Sequence, residues 1–345
     1  MAAGPAGGEA VPITASGAIM FANPRWPGIG ALLFAATTWG AMFIVSKDVL
    51  GYVDPFWFTF IRYAIAGLLF AALLLPRGSA PWRNLRANAA PLALRGVSGF
   101  GVFSVTLLTG LAHTEPSHGA VIMATTPLTT QLVRWALDGV KPKRTTLLTT
   151  TLALAGVVVV TGVLSHASFS WTATLHGDAL ILASTLAWVW YTRGAAYFAQ
   201  LEIVEYTALT VLAALPVLAV AAFFATAFDF ASVPQVEDLH ITWHAMLFVG
   251  VVASGFAILA FNFGVRRLGA VTGTAFLNFV PVSALLYGVV LGKPPSATEL
   301  AGAAMVIGAL LIHTAASVRD ARVSAAPVRA RMTTGLRAAD CPQAR

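Results

Sequence analysis

The sequence predicts an all-α integral membrane fold: ten transmembrane helices arranged as two inverted five-helix repeats. Three observations predict it. The chain is 58% hydrophobic and only 10% charged, with a mean hydropathy of +0.79, whereas soluble domains carry roughly 25% charged residues because they must face water. Ten apolar runs are each long enough, at about 20 residues, to cross hydrocarbon as a helix that satisfies its own backbone hydrogen bonds. Glycines and prolines recur in one fixed register between the two halves of the chain.

Taken in order, residues 1–27 are rich in Ala, Gly and Pro and have no charged segment ahead of an apolar core. They read as a disordered tail rather than a cleaved signal peptide. The spans follow at 28–46, 55–75, 89–112, 116–137, 145–164, 176–198, 204–226, 242–263, 270–291 and 298–316. Asp54-Pro55 and Glu115-Pro116 put an acid and a proline where a helix N-terminus accepts both, and Asp178 opens the sixth span. Residues 28–164 form the first repeat and 176–316 the second. Residues 317–345 are Ala- and Arg-rich without apolar periodicity, and read as a basic disordered tail. The one cysteine, Cys341, lies in that tail, so no intrachain disulfide forms.

The basic residues give an orientation. Of 21 Lys and Arg, 16 fall on one side: Arg25, Arg77, Arg83, Arg86, Lys141, Lys143, Arg144, Arg193, Arg266, Arg267 and six arginines from Arg319 to Arg345. Lys47 and Lys293 fall on the other, and Arg62, Arg95 and Arg134 lie within spans. The positive-inside rule then puts both termini in the cytoplasm, in a multi-pass inner (plasma) membrane protein. The same distribution accounts for the pI near 10.0. It therefore argues against nucleic acid and for anionic lipid as the counter-charge. The expected partners are the bilayer and a small-molecule substrate, with a homodimer left open.

Sliding the chain against itself by 154 residues pairs Gly96 with Gly250, Gly101 with Gly255, Gly110 with Gly264, Gly119 with Gly273 and Pro127 with Pro281. Small residues at helix contacts explain glycine content but not a shared register. Because each half has an odd number of spans, the second enters the membrane in the opposite sense. Many secondary transporters use such a repeat to build a midplane site that opens alternately to each side.

Pro127 and Pro281 sit mid-span at matched positions, and each removes a helix hydrogen bond. The carbonyls of Met123 and Leu277 are left open to a substrate, a water or a hydroxyl, and Thr125, Thr126 and Asn278 stand within one turn to fill them or to touch a ligand. Arg62 lies inside the second span, where a guanidinium cannot shed its proton and must face a cavity or a partner. It can recognise a carboxylate or phosphate, or else pair with Glu115 or Asp48. Trp39, Trp188 and Tyr191 can line an aromatic-walled pocket. His113, Glu115 and His118 cluster at one turn, as a proton-coupling group or a solvated cap. Their spacing matches no zinc pattern, so no metal and no cofactor is expected.

With these residues in place the chain resembles the EamA-like branch of the drug/metabolite transporter superfamily over essentially all of 28–316. The resemblance is carried by Trp39-Gly40 with Lys47, Pro55 followed by Arg62, the stretch GLAHTEPSHGAVIMATTP from Gly110 to Pro127, GVVVVTG at 156–162, and the repeat of the third-to-fourth pattern from Gly264 to Pro281. It implies a ten-helix inner-membrane transporter with a central cavity that moves amino acids, other small metabolites or drugs, often outward. The family's Gly-Glu pair after the fourth and ninth spans is replaced here by Asp138-Gly139-Val140 and Gly292-Lys293. Two alternatives stand beside this reading. One is an organophosphate or nucleotide-sugar exchanger of the same superfamily, using Arg62 and Lys47. The other is an intramembrane serine protease built on Gly96-Val97-Ser98-Gly99, which a ten-span duplication disfavours.

Overall fold

The computed structural model describes residues 25–113, 122–160, 171–290, 292, 294–316 and 319, and every regular element among them is helical. The helices are α1 (Trp26–Val49), α2 (Pro55–Leu74), α3 (Ala80–Ala87), α4 (Ala89–Ala112), α5 (Thr126–Asp138), α6 (Arg144–Val160), α7 (Trp171–Tyr197), α8 (Ile203–Ala227), α9 (Val236–Leu268), α10 (Ala270–Val290) and α11 (Ala297–Ala316). Seven of them, α1, α2, α4, α8, α9, α10 and α11, are long and apolar enough to cross a membrane. The other three spans expected from sequence coincide with α5, α6 and α7. Of these, α6 is a shorter apolar helix, α5 is 13 residues long, and α7 carries His176, Asp178 and Arg193 along its 27 residues.

Two of the departures from the sequence expectation have local reasons. α9 begins six residues before position 242 because Gln235 and Asp238 form a reciprocal capping box, with Glu237 and Asp238 at the positive end of the helix. α3 stands where a loop was expected. It is one short amphipathic helix with Trp82 and Leu85 packed against the core, Arg83 and Arg86 on its other positions, and Asn84 Nδ2 bonded to Glu205 Oε1 at 2.7 Å. At the start of α2, the Asp54 carboxylate accepts from the Phe56 amide at 2.8 Å and Pro55 occupies the first turn.

The shared glycine register has a packing cause. α4, from the first half, lies against α7 and α8 of the second, and α9, from the second half, lies against α1 and α2 of the first. A Cβ at Gly110 would sit 2.6 Å from Ile181 of α7, and one at its mate Gly264 would sit 2.4 Å from Leu32 of α1. Gly96 abuts the Thr210 carbonyl of α8, while Gly250 abuts Ile65 of α2. Gly101 and Gly255 repeat the pattern against Leu218 and Leu69. These three matched pairs therefore mark the same close approach between halves, and the absence of a side chain is what permits it; Gly119 lies outside the described residues, and its mate Gly273 meets Val265 of its own half.

The same two helices carry a feature that the glycines announced without naming. α4 is π-helical over Val97–Val102 and α9 over Phe248–Phe256, stretches that overlap in the 154-residue register. A π turn frees a carbonyl from the helical ladder and is frequent beside functional sites. Trp39 Nε1 donates to the Ala253 carbonyl at 3.0 Å, tying α1 to α9, and Ser98 Oγ donates to the Ala187 carbonyl at 2.8 Å, tying α4 to α7.

Candidate functional site

A cavity of about 660 Å³ lies between α1, α2, α4, α7, α9 and α10, within the size range of small-molecule sites. One end is formed by Ser46, Lys47 and Asp48 at the C-terminal end of α1, Leu111 at that of α4, and Glu299 in the first turn of α11. The other end stops at Trp39 and Trp188, halfway along their helices. Those two rings meet edge to face at 5.6 Å between centroids, and both lie 5.3 Å from Phe261. Below this floor the bundle is packed shut. Asn262 Nδ2 donates to Tyr191 Oη at 2.7 Å and to Thr207 Oγ1 at 2.9 Å, Tyr206 stacks on Tyr191, and Arg266 Nη1 donates to the Leu201 carbonyl at 2.6 Å.

Arg62 is the charge in the deep wall. It is only 2% exposed. Its Nη2 donates to Tyr63 Oη at 3.1 Å and to Ser104 Oγ, its Nη1 faces Met42 Sδ at 3.5 Å, and its plane lies 4.7 Å from the Tyr63 ring centroid. Nε has no acceptor. Among the described residues Arg62 makes no ion pair: Asp48 lines the same cavity without forming one, and Glu115 lies outside the described residues. Burying a cation among neutral partners is costly, and none of the described residues supplies the counter-charge.

Of the sequence-expected site residues, Trp39, Arg62, Trp188 and Pro281 lie on the cavity wall. Thr125, Thr126, Pro127, Tyr191 and Asn278 do not. Thr126 Oγ1 donates to the Met123 carbonyl at 2.5 Å, so the hydroxyl fills the bond that Pro127 removes, and Thr125 Oγ1 serves the Ile122 carbonyl at 2.6 Å. Asn278 is buried in a 3₁₀ turn at Phe276–Asn278, and its Oδ1 has no partner. Tyr191 is fully buried one turn beneath Trp188, where its hydroxyl accepts from Asn262. His113 meets His176 of α7 at 5.9 Å between ring centroids; its expected partners Glu115 and His118 lie outside the described residues.

Sequence reasoning missed Met42, Tyr63, Phe103, Ser104 and Ser254, which complete the wall or hold Arg62. Only Tyr63, adjacent to Arg62, carried a signal. Asp138 pairs not with Arg134 on its own helix but with Arg193 of α7, through two bonds of 2.5 and 2.7 Å. This bond and its charge hold the Asp138 carboxyl below the usual carboxylate range. Arg95 lies over Trp190 and Tyr197 at 4.4 and 5.0 Å from their ring centroids instead of reaching for water. Ser98 spends its proton on the Ala187 carbonyl, as a helix tie and not as a nucleophile. Among the described residues no three His, Cys, Asp or Glu side chains converge to hold a metal.

The comparisons with known proteins agree on what surrounds this cavity. A family model described as the EamA-like transporter family matches residues 26–162 and again 175–315. The transporter YrdR of Bacillus subtilis (strain 168) is 30% identical over 292 residues, 83% of this chain and 91% of that protein. The inner membrane transporter YedA of Escherichia coli (strain K12) is 27% identical over 274 residues, 77% of this chain and 83% of that one. A probable terminal-alkyne amino-acid exporter of Streptantibioticus cattleyicolor is 23% identical over 308 residues, 87% and 98% of the two chains. A solved crystal structure shares the fold with a TM-score of 0.68 at 22% identity, covering 86% of this chain and 99% of that chain. Two family matches that together span most of this multi-pass membrane chain, with a relative 30% identical over 83% of it, mean that this chain is a transporter and not an enzyme, and that it belongs to the EamA-like transporter family.

Proposed function

We propose that the chain crosses the inner membrane ten times with both termini in the cytoplasm, and exports small organic metabolites by alternating access between its two halves. The observation that carries this reading is the cavity, open at one end, shut at the other and holding in its wall Arg62, which makes no ion pair among the described residues. On the orientation proposed from the basic residues, the open end faces outward.

The repeat register gives the opposite state. Trp39 corresponds to Trp188 at an offset of 149 residues, which carries Met42 to Tyr191, and Pro281 corresponds to Pro127. In a cavity opened towards the cytoplasm, Tyr191 and Pro127 take the places that Met42 and Pro281 hold on the present wall. The Asn262, Tyr191 and Thr207 bonds then act as the closed inner gate, and they must part for release from the other side. The name of the Streptantibioticus relative, an amino-acid exporter, supports both the solute size and the direction.

The test compares metabolites in medium and cytosol between cells overproducing the intact protein and its Arg62→Ala form. A solute that accumulates outside only with the intact protein supports export and implicates Arg62. Matching profiles from two equally well-expressed forms refute the role of Arg62 in transport. An organophosphate exchanger is the second reading, because Lys47 shares the cavity with Arg62. It requires that inorganic phosphate inhibit transport.

A further inference from the structure

We propose that the deep end of the cavity is a carboxylate subsite, and that the solute held there is an apolar monocarboxylate lacking an α-ammonium group. This rests on the transporter reading above and names the chemistry of the same site.

The first step is the sign of the ligand. Among the described residues three polar groups of the cavity wall, Arg62 Nε and Trp188 Nε1 at the deep end and Ser46 Oγ one turn beyond Met42 towards the other end, are buried with no hydrogen-bond partner. All three can donate, and two of them can do nothing else. The Arg62 guanidinium is held by neutral groups only: Tyr63, Ser104 and Met42. Unmet donors in the wall, and a cation with no ion pair among the described residues, call for an acceptor carrying negative charge.

The second step is the count of cations. The other cation of the wall is Lys47, five residues beyond Met42 on α1 and so about 7.5 Å further along the helix. Asp48, the next residue, lines the same cavity, so the formal charges of this end cancel. One buried guanidinium matches the single charge of a carboxylate, while the double charge of a phosphate monoester would be left half compensated.

The third step is the missing acid. An α-ammonium group lies one carbon from its carboxylate, and so beside Arg62. The carboxylates of the wall are Asp48 and Glu299. Asp48 is six residues beyond Met42, about 9 Å along α1. Glu299 is occupied at the start of α11, where its Oε2 accepts from the Ser296 amide at 2.7 Å. Among the described residues, a cationic group next to the bound carboxylate would therefore meet the like charge of Arg62 and no counter-charge. The remaining wall near this end, including Phe103, Leu107, Trp188, Ile258 and Val280, is apolar and takes an aromatic or branched aliphatic body.

Equilibrium binding to the purified full-length protein in detergent micelles tests this with probes that share one body: phenylpropionate, phenylalanine, phenyl phosphate and phenylpropanol. Phenylpropionate is expected to bind on the order of tenfold or more tightly than the other three. Arg62→Gln should weaken it by roughly 10- to 100-fold, and Arg62→Lys by less. Equal binding of phenylalanine or phenylpropanol overturns the proposal, as does an unchanged Arg62→Gln affinity. So does a failure of both phenylpropionate and the aliphatic octanoate to bind. If Arg62→Gln does not fold, the wild-type ranking decides alone. Export of a different solute class without carboxylate binding overturns the subsite and leaves the transporter reading standing. Carboxylate binding with no exported or imported solute leaves the subsite and overturns the transport reading of the cavity.

Discussion

Replacing Gly96 by alanine tests whether the glycine register exists to let the two halves touch. The backbone at Gly96 is ordinary right-handed helix, with φ −65° and ψ −43°, so alanine costs nothing in conformation. The obstacle is across the interface, where the new Cβ would lie 2.0 Å from the Thr210 carbonyl oxygen and 2.9 Å from Ala214 Cβ. Contacts under 3.0 Å do not persist, so α4 must retreat from α8 by at least about 1 Å. Thr210 offers a backbone atom there, which no rotamer change can remove. Overpacking of this kind costs about 3 kcal/mol at the upper end of its usual range. The higher helix propensity of alanine returns about 1 kcal/mol. The net loss is about 2 kcal/mol, on the order of 4 °C in the unfolding midpoint. Gly30→Ala is the control, because no atom lies within 4 Å of its added Cβ; it should be neutral, or gain up to about 1 kcal/mol. Thermal unfolding of both variants in the same micelles decides the matter. A Gly96→Ala protein as stable as Gly30→Ala would refute the argument that α4 and α8 are held at contact by the missing side chain.

Three further outcomes follow from the same structure. Asp138→Asn should destabilise the protein at neutral pH by breaking the bidentate, charge-assisted pair of hydrogen bonds that Arg193 donates to the carboxylate. Because the folded pKa of Asp138 is depressed, its contribution is full above the unfolded value of about 3.9 and lost as the pH falls through the folded one. The stability gap between wild type and variant should accordingly be constant from pH 6 to 8 and close in stronger acid; a gap that persists there would mean Asp138 acts by packing. Pro127→Ala with Pro281→Ala should slow turnover in reconstituted vesicles by restoring two straight helices, and an unchanged rate would reduce both prolines to packing residues. The single Cys341 reports orientation without any engineering: a membrane-impermeant maleimide should label it only after cells are permeabilised, and labelling of intact cells would reverse the proposed topology.

How much of this was legible in the sequence differs by kind of residue. Arg62 stood out because a charge inside an apolar run needs a reason, and it does lie in the cavity wall. Trp39 and Trp188 were found through the repeat, and both form its floor. Thr126 and Tyr191 sit within one turn of true wall residues yet point away from the cavity, one to the Met123 carbonyl and the other to Asn262. Ser104 and Met42 carried no signal, since a serine or methionine in a membrane helix has many uses. Asp138 carried no pairing signal either, because its partner Arg193 comes from α7.

The sequence by itself determined the solvent, the all-helical class, the duplication and the presence of a cation inside the second span. These follow from hydropathy, length and spacing, which are properties of the chain alone. The tertiary structure decided which side of each helix faces the cavity, which glycines meet which helices, and where the ladder opens into π turns. The physical reason lies in the bilayer. In water a helix shows its buried face by contrast with a polar one, but here the lipid-facing side is as apolar as the packed side. That contrast vanishes, and only contact between helices can tell the two sides apart.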